Sequence, residues 1–429
     1  EVESTVVGHY TDNGKLHLTY RGRTCAYLDL SFFTEDFPQW EFDARWVSPR
    51  LRGLVEPVLS EPTDYGNLIH GMLARPNICS REWIQRQYDH EVQGTSAVKF
   101  FVGRQRDVPN DAVVLRPDLG SLRGLAVAQA LHPTYSLIDT YHMVAASIDE
   151  TVRRLLSVGA KLDEIGGVDN FCWPSIQFDP HLNPDGDYKA AQLVRANFAL
   201  RDVCLAYGIP LLSGKDSMYV DGHLAGEFGE RHKVSGLPTM QFTGTGIVPD
   251  VIRSLTMEAK MPGDLLYILG ETGNELGGGE YYEIFGYTGC CVPILDPMKS
   301  LHLYEIVEQA VNRCLLASCH GIYRGGLGVH AALVALGGDL GMVLNLQEVP
   351  CSGKLRNDQL LFSESCGRFI VTVQPEKRRE FETLFHGLPC ALVGTIQERP
   401  ELSFIGHGGE ILLREDIADL RKSWKRTLC

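Results

Sequence analysis

The spacing of apolar residues predicts two long helices in the middle of the chain. Between residues 139 and 158 apolar side chains recur at helical intervals, and Gly159 stands where a glycine commonly ends a helix. Residues 187–207 repeat the pattern and are followed by Gly208. Short apolar runs between residues 112 and 131 are typical of strands. Strands that alternate with long helices favour a mixed α/β layer.

A second unit is predicted to begin near residue 252. Pro262-Gly263-Asp264 precedes the apolar run Leu265–Leu269, which is typical of a buried strand. The glycine-rich segment Gly270–Glu280 carries no lysine or arginine, and we expect a flexible loop that leads into a helix. The other elements predicted for this unit are helices over 303–317, 326–336 and 414–426 and strands over 369–373 and 391–394.

The first 78 residues have a different pattern. Thr5–Tyr10 and Leu16–Tyr20 alternate on either side of Asp12-Asn13-Gly14, which predicts a hairpin. Residues 34–78 contain several prolines and no clear period, so we expect an irregular connector. The predicted fold class is α+β, built of α/β layers. Its three parts are a β remnant with a linker (residues 1–78), a first α/β domain (79–251) and a second (252–429).

Composition and charge favour a globular protein and disfavour nucleic-acid-binding and membrane proteins. Of the 429 residues, 44% are apolar and 22% charged, as in ordinary globular proteins. The formal charge of −14, from 54 acidic and 40 basic residues, disfavours general nucleic-acid binding. No apolar run reaches the roughly 18 residues of a membrane span, so no membrane partner is expected. The twelve cysteines contain no CxxC pair, which favours reduced thiols and a cytoplasmic protein.

The segment Ser213–Ser217 carries the most chemistry. Gly214 lets the backbone approach a phosphate, and Lys215 can neutralise its charge. Asp216 can bind magnesium, and Ser217 can donate a hydrogen bond. The segment is not a P-loop, because Asp216 stands where that motif requires serine or threonine. A tight surface turn is the alternative interpretation.

Three further acids are candidates for the same chemistry. Asp111 begins a predicted strand, Glu150 lies in the first long helix, and Asp169 follows two glycines. Each also has a simpler structural interpretation: a turn residue, a solvated helix face and a loop cap, respectively. Carboxylates distant in sequence could still converge on one magnesium ion, because hard cations prefer oxygen ligands.

Four segments together resemble one enzyme family. Trp83–His90, Ser213–Met218, Leu269–Tyr282 and Leu361–Phe369 are similar, in this order, to phosphoribosylformylglycinamidine synthase. This family consists of ATP-dependent amidotransferases of purine biosynthesis, in the superfamily of aminoimidazole ribonucleotide synthetase. The resemblance extends over nearly the whole chain and implies that superfamily's N-terminal-like and C-terminal-like α/β domains.

The resemblance implies a ligase reaction. In this family ATP phosphorylates the amide oxygen of formylglycinamide ribonucleotide, and ammonia from glutamine displaces phosphate to give formylglycinamidine ribonucleotide. The chain looks like the second of two related halves, cut from something longer. The implied partners are the nucleotide, the ribonucleotide substrate, a first-half synthetase region and a glutaminase domain or subunit. Without the first half, we expect two copies to pair as a homodimer.

The resemblance also implies roles for particular residues. It places magnesium on Asp111, Glu150 and Asp216. It places the nucleotide, ATP or ADP, on Asp169, Gly214 and Ser217. No catalytic residue is assigned, because the family's catalytic histidines belong to the first half.

Two departures from the family pattern leave alternatives open. Arg154 stands where the family often has asparagine, and a guanidinium repels magnesium unless it replaces the ion as the phosphate counter-charge. After His320, Gly321–Arg324 replaces the family's acidic residues. One alternative is a different ATP-using synthetase of the superfamily, of the cyclo-ligase or selenophosphate synthetase type. The other is a catalytically inactive scaffold half.

Overall fold

A computed structural model describes residues 2–35, 39–87 and 92–428, and the chain divides into two compact units, residues 1–43 and 44–429. In the first unit, strand β1 (Lys15–Tyr20) pairs antiparallel with β2 (Arg23–Asp29), and a short helix α1 (Ser31–Thr34) follows. The predicted hairpin around residues 12–14 is therefore wrong. Arg21 and Gly22 both have positive φ, as the favoured two-residue hairpin turn requires.

The second unit contains two large sheets and the longer helices. Its strands are β3 (Ser96–Val98), β4 (Phe101–Val102), β5 (Val108–Pro109), β6 (Val113–Leu115), β7 (Gly124–Ala130), β8 (Ile165–Cys172), β9 (Leu211–Ser217), β10 (Asp221–Ala225), β11 (Arg231–Ser235), β12 (Thr239–Val248), β13 (Leu265–Leu269), β14 (Ser318–Gly321), β15 (Gly341–Asn345), β16 (Phe369–Val373), β17 (Cys390–Gln397), β18 (Glu401–Ile405) and β19 (Ile411–Asp416). Its helices are α2 (Tyr65–Leu73), α3 (Glu82–Arg86), α4 (Thr140–Ser157), α5 (Gly186–Tyr207), α6 (Glu280–Ile284), α7 (Pro297–Asn312), α8 (Gly326–Gly338), α9 (Asn357–Phe362), α10 (Arg378–Leu384) and α11 (Ile417–Lys425).

The first large sheet has the order β3-β6-β7-β12-β8-β9 and is antiparallel except for the pair β8–β9. Helix α4 packs on β7 and β12, with α5 beside it, as the apolar periods predict. The Asp139 carboxylate caps α4 by accepting a hydrogen bond from the Tyr141 N–H, and Gly159 follows with positive φ. At Gly244 of β12 a Cβ would lie 2.7 Å from Thr151 Cγ2, so only glycine allows the helix to approach this closely.

The second large sheet has the order β14-β16-β13-β17-β15-β18-β19, with one parallel pair, β15–β18. The strands predicted at Leu265–Leu269 and Phe369–Val373 are confirmed with the same bounds. Helix α8 is buried along nearly its whole length, which explains why apolar and small residues occur on all its faces. The mixed α+β class is therefore confirmed, whereas the domain boundaries at residues 78 and 251 stay predictions.

The predicted connector over residues 34–78 contains a helix that the sequence pattern does not reveal. Ile69, Met72 and Leu73 of α2 are fully buried, and the Asp64 carboxylate caps the helix by accepting a hydrogen bond from the Asn67 N–H. With nine residues, α2 is too short for a clear period and lies among prolines and loops. Among the helices that the structure describes, none combines the length and apolar character needed to cross a membrane.

One buried carboxylate, that of Asp149, connects helices α4, α5 and α7. The Asp149 side chain on α4 accepts hydrogen bonds from Arg153 Nε at 2.8 Å, from the Tyr207 hydroxyl of α5 at 2.9 Å and from the Tyr304 hydroxyl of α7. The Gly367 N–H also donates to it, at 3.2 Å. Arg153 in turn donates to the Ile322 carbonyl oxygen. This network joins five segments through a carboxylate that is buried away from water.

Replacing Asp149 by alanine is expected to lower the free energy of unfolding by about 3–5 kcal/mol, because it leaves the Arg153 guanidinium buried without its counter-ion. Urea denaturation followed by circular dichroism measures this change. The control is Asp163→Ala, whose exposed carboxylate pairs with Lys161 and which we expect to change stability by less than about 0.5 kcal/mol. Equal effects of the two substitutions would contradict this account of the network.

Candidate functional site

A cavity of about 720 Å³ opens beside the first sheet and is the setting for two of the predicted residues. Asp111 lies in its wall just before β6, and Glu150 enters from α4. Both carboxylates are buried, so the interpretation of Glu150 as part of a solvated helix face is wrong. Apolar side chains such as Val113, Val127 and Leu333 line much of the remaining wall. The cavity therefore combines an apolar body with one charged end, as small-molecule sites commonly do.

Asp111 is held by groups from a segment about 210 residues away. Its Oδ2 lies 2.7 Å from His320 Nδ1, and its Oδ1 accepts hydrogen bonds from the Gly321 N–H at 3.1 Å and from the Tyr323 hydroxyl. Burial alone would raise the pKa of Asp111, but the charge of His320 and these hydrogen bonds outweigh it and hold the pKa below its usual value. Asp111 is therefore an ionised carboxylate.

His320 lies in a chain of hydrogen bonds between Asp111 and His330. His330 Nε2 lies 3.2 Å from the Arg324 carbonyl oxygen, which can only accept, so this nitrogen carries a proton. Burial lowers the pKa of His330, which is neutral, and its Nδ1 accepts from His320 Nε2 at 2.8 Å. His320 Nδ1 must also donate, because Asp111 is ionised. His320 therefore connects Asp111 to His330 through its two ring nitrogens.

Glu150 is neutralised by an arginine of its own helix. Arg154, one turn later, contacts Glu150 Oε1 through Nε at 2.9 Å and through Nη2 at 2.7 Å. His132 Nε2 lies 3.1 Å from Glu150 Oε2. Burial tends to raise the pKa of Glu150, but the Arg154 charge and the His132 hydrogen bond lower it well below its usual value. The Arg154 guanidinium also lies over the Tyr323 ring, 4.2 Å from its centroid.

These contacts decide how well the residues fit a magnesium ion. Each of the four carboxylate oxygens of Asp111 and Glu150 already has a donor from this chain. A magnesium ion would have to displace those donors and would lie beside the Arg154 guanidinium. Asp216, the third predicted ligand, is not among the residues that line the cavity. As arranged, Asp111, Glu150 and Asp216 do not fit one shared ion.

Asp216 lies instead at the opposite edge of the sheet, with Asp169 and Gly214. Strand β9 pairs with β8 so that Gly214 is opposite Asp169 and Asp216 opposite Phe171. A Cβ on Gly214 would lie 2.9 Å from Asp169 Oδ2, so glycine leaves room for that carboxylate. Burial raises the pKa of Asp169, and the charge of Asp216 raises it further. The structure thus brings these three predicted residues together.

The Ser213–Ser217 segment forms part of an edge strand rather than a tight turn. Strand β9 is exposed over most of its length, including Leu211 and Leu212. Lys215 Nζ donates to Ser217 Oγ at 2.6 Å on one side of the strand. Ser217, at the end of this strand, is half-buried, and Lys215 contacts its hydroxyl.

Several site residues lack a signal in the sequence. His132, Tyr323 and His330 each have a role at the cavity, yet each is an isolated residue with no motif around it. The Gly270–Glu280 segment is held in place rather than flexible: the Gly277 N–H donates to the Cys291 carbonyl oxygen, and the Glu280 N–H donates to the Glu364 carboxylate. Residues 88–90 of the first family segment lie outside the described residues.

Comparison with known proteins identifies the class of fold first. The family model described as AIR synthase related protein, C-terminal domain, matches residues 261–407, which include most of the second large sheet. Two solved structures of Thermotoga maritima PurL share the fold of the chain. The one complexed with FGAR has a TM-score of 0.61, 17% identity and coverage of 84% of this chain and 54% of that chain. The one complexed with ATP has a TM-score of 0.58 and 16% identity, and the match covers 85% of this chain and 53% of that chain.

The chain is also similar to curated protein sequences. The phosphoribosylformylglycinamidine synthase subunit PurL of Methanothrix thermoacetophila is 30% identical over 435 residues, covering 99% of this chain and 52% of the relative. The resemblance to this synthase subunit, predicted from four short segments, is confirmed along the chain. The chain spans about half the length of the curated relatives that it matches.

Lowering the pH is expected to weaken the charged end of the cavity. The pKa of Glu150 is lower in the folded than in the unfolded chain, so its stabilising effect is complete above about pH 5 and is lost as the pH falls below the usual glutamate pKa. In Glu150→Gln, the free energy of unfolding should therefore fall less steeply below pH 5, by up to about 1.4 kcal/mol per pH unit. Urea titrations at several pH values measure the slope, with Glu305→Gln on an exposed face as control. Parallel slopes for wild type and Glu150→Gln would contradict the assignment.

Proposed function

We propose that this chain is half of a phosphoribosylformylglycinamidine synthase subunit, a ligase of purine biosynthesis. The observation that carries this proposal is the similarity to PurL relatives over 98–100% of the chain. In the reaction, phosphorylation converts the amide oxygen of formylglycinamide ribonucleotide into a good leaving group, and ammonia from glutamine then displaces phosphate. The ribonucleotide product is the amidine, and the compartment is the cytoplasm.

The contribution of this chain is a nucleotide site and one wall of the active site. The cavity beside Asp111 and Glu150 has the size and the mixed apolar and charged lining that a nucleotide requires. Asp169, Gly214 and Ser217, at the β9 edge and away from this cavity, form a second nucleotide contact that we propose. A Thermotoga maritima PurL with the same fold has been solved in complex with ATP, which supports ATP or ADP as the ligand.

The proposed partners cover surfaces that the described part of the chain leaves open. Leu211 and Leu212 on β9 are exposed, as are Phe198 and Leu205 on α5. Exposed apolar side chains on a sheet edge and its neighbouring helix favour association. We assign this surface to a first-half synthetase region, or to a second copy of the chain when that region is absent. A glutaminase domain or subunit would supply ammonia.

A catalytically inactive scaffold half is the second candidate function. The observation that favours it is the engagement of all carboxylate oxygens of Asp111 and Glu150 by Arg154, His132, His320 and their neighbours. A magnesium ion bound by Asp111, Glu150 and Asp216 stays a prediction. The contacts of Asp111 and Glu150 disfavour it, because their oxygens already have donors from the chain. A different ATP-using synthetase of the superfamily is the remaining alternative, and a panel of substrates separates it from the proposal.

The isolated chain is expected to form no amidine at a useful rate from ATP, ammonia and formylglycinamide ribonucleotide, because it supplies only one wall of the site. A subunit that contains both halves should form the product under the same conditions. Chromatographic detection of the amidine ribonucleotide measures both. Efficient turnover by the isolated chain would contradict the proposal that it is incomplete.

ADP binding tests the nucleotide site directly. In a magnesium-containing buffer, isothermal titration should show ADP binding to the wild-type chain and weaker binding, by about threefold or more, to Asp216→Ala, because Asp216 lies on the same strand edge as Gly214 and Ser217, two of the proposed nucleotide contacts. Asp163→Ala, a change to an exposed carboxylate, is the control and should bind as the wild type does. The absence of heat for the wild type and Asp216→Ala alike would count against the site.

A further inference from the structure

We propose that Arg154, supported by His132 and His320, takes the place of a divalent ion at the charged end of the cavity, so that the cavity binds a phosphate-bearing ligand without metal. This inference rests on the proposed nucleotide-binding function and specifies how charge is handled there. It also assigns to Arg154 a specific role as the residue that replaces the ion.

The first step is that the cationic charge is already built in. Arg154 neutralises Glu150, and His320 Nδ1 contacts Asp111, each through contacts of 2.7–2.9 Å. These two side chains come from different elements, α4 and β14, and both approach carboxylates that are buried. A divalent ion added here would lie beside the Arg154 guanidinium and would find no carboxylate oxygen without a partner.

The second step is that Arg154 keeps donors for a ligand. A guanidinium has five N–H donors. Contacts with Glu150 use Nε and one N–H of Nη2, and a long contact of 3.4 Å with the Asp111 carbonyl oxygen uses Nη1. At least one N–H on each Nη is left, and the side chain lines the cavity. Guanidinium N–H groups of this kind donate to phosphate oxygens.

The third step is a buried polar atom that nothing else explains. His132 lines the cavity and is buried, stacked on Tyr135 with ring centroids 4.7 Å apart. Its Nε2 contacts Glu150, whereas its Nδ1 has no hydrogen-bond partner among the described residues. A buried nitrogen without a partner is costly unless a bound molecule or an ordered water satisfies it. It therefore points to a polar ligand at the same end of the cavity as Arg154.

The test compares ligand binding with and without metal. Isothermal titrations with ADP, and separately with inorganic pyrophosphate, are run in EDTA and in excess magnesium on the wild type, Arg154→Asn and Arg154→Lys. We expect wild-type affinities in the two buffers to agree within about twofold. Arg154→Asn, which removes the guanidinium, should bind at least about tenfold more weakly in EDTA. Arg154→Lys keeps the charge and should retain most of the metal-independent binding.

Two further measurements keep the result interpretable. Thermal unfolding verifies that each variant is folded, and the double variant Glu150→Gln/Arg154→Asn removes the pair together if Arg154→Asn alone is unstable. Arg123→Asn alters an exposed arginine paired with Glu164 and should change nothing. Electron paramagnetic resonance with Mn²⁺ alone measures divalent-ion binding without any nucleotide. We expect the wild type and Glu150→Gln to show the same Mn²⁺ binding, because no ion binds at Glu150.

The outcomes separate this inference from the proposed function. ADP binding that requires magnesium, or Mn²⁺ binding that Glu150→Gln abolishes, overturns the inference and leaves the nucleotide-binding proposal standing. A folded wild-type chain that binds neither ADP nor pyrophosphate in either buffer overturns both. Binding that is insensitive to EDTA but depends on the charge of Arg154 supports both.

Discussion

The structure depends on neutralising carboxylates that are buried in and beside helix α4. This helix carries two acids followed four residues later by two arginines, so that Asp149 pairs with Arg153 and Glu150 with Arg154. Neighbouring residues on a helix project about 100° apart, so the two ion pairs face different surroundings. The first pair joins α4 to α5 and α7 inside the protein, and the second forms the charged end of the cavity. The same spacing, an acid followed four residues later by an arginine, thus occurs twice on α4. One pair stabilises the packing of the helices, and the other belongs to the site.

The same constraint explains the segment after β14. Burying Asp111 requires donors on both of its oxygens, and His320, Gly321 and Tyr323 supply them from one short stretch of chain. His330 on α8 then orients His320. The residues that depart from the family pattern after His320 are therefore part of a satisfied network. Their replacement by acids would place further negative charge beside Asp111.

Much of the fold follows from the sequence, and the reasons are physical. Helices α4 and α5 have apolar periods long enough to be read, and glycines with positive φ end them. Strands β13 and β16 are continuous apolar runs because both of their faces are buried. The hairpin prediction fails because Asp12-Asn13-Gly14 has the composition of a hairpin turn, whereas the actual turn is at Arg21-Gly22, a few residues later. Helix α2 is missed because its buried face is defined by tertiary contacts with α11 and α8 rather than by a local period.

The site shows where a single sequence stops being informative. The sequence indicates acids, but it does not show that His320 lies against Asp111 across about 210 residues or that His132 reaches Glu150. Nor does it show that Asp169 and Asp216 lie together at the far edge of the sheet, away from the cavity.

This separation has an electrostatic consequence. At the cavity, Arg154 neutralises Glu150 and His320 contacts Asp111, so both carboxylates have partners within the chain. At the β9 edge, Asp169 and Asp216 repel each other with no ion pair among the described residues, and the exposed leucines beside them are uncovered. Covering this edge with another polypeptide would bury both charge and apolar surface, so association and the ionisation of Asp169 are physically coupled.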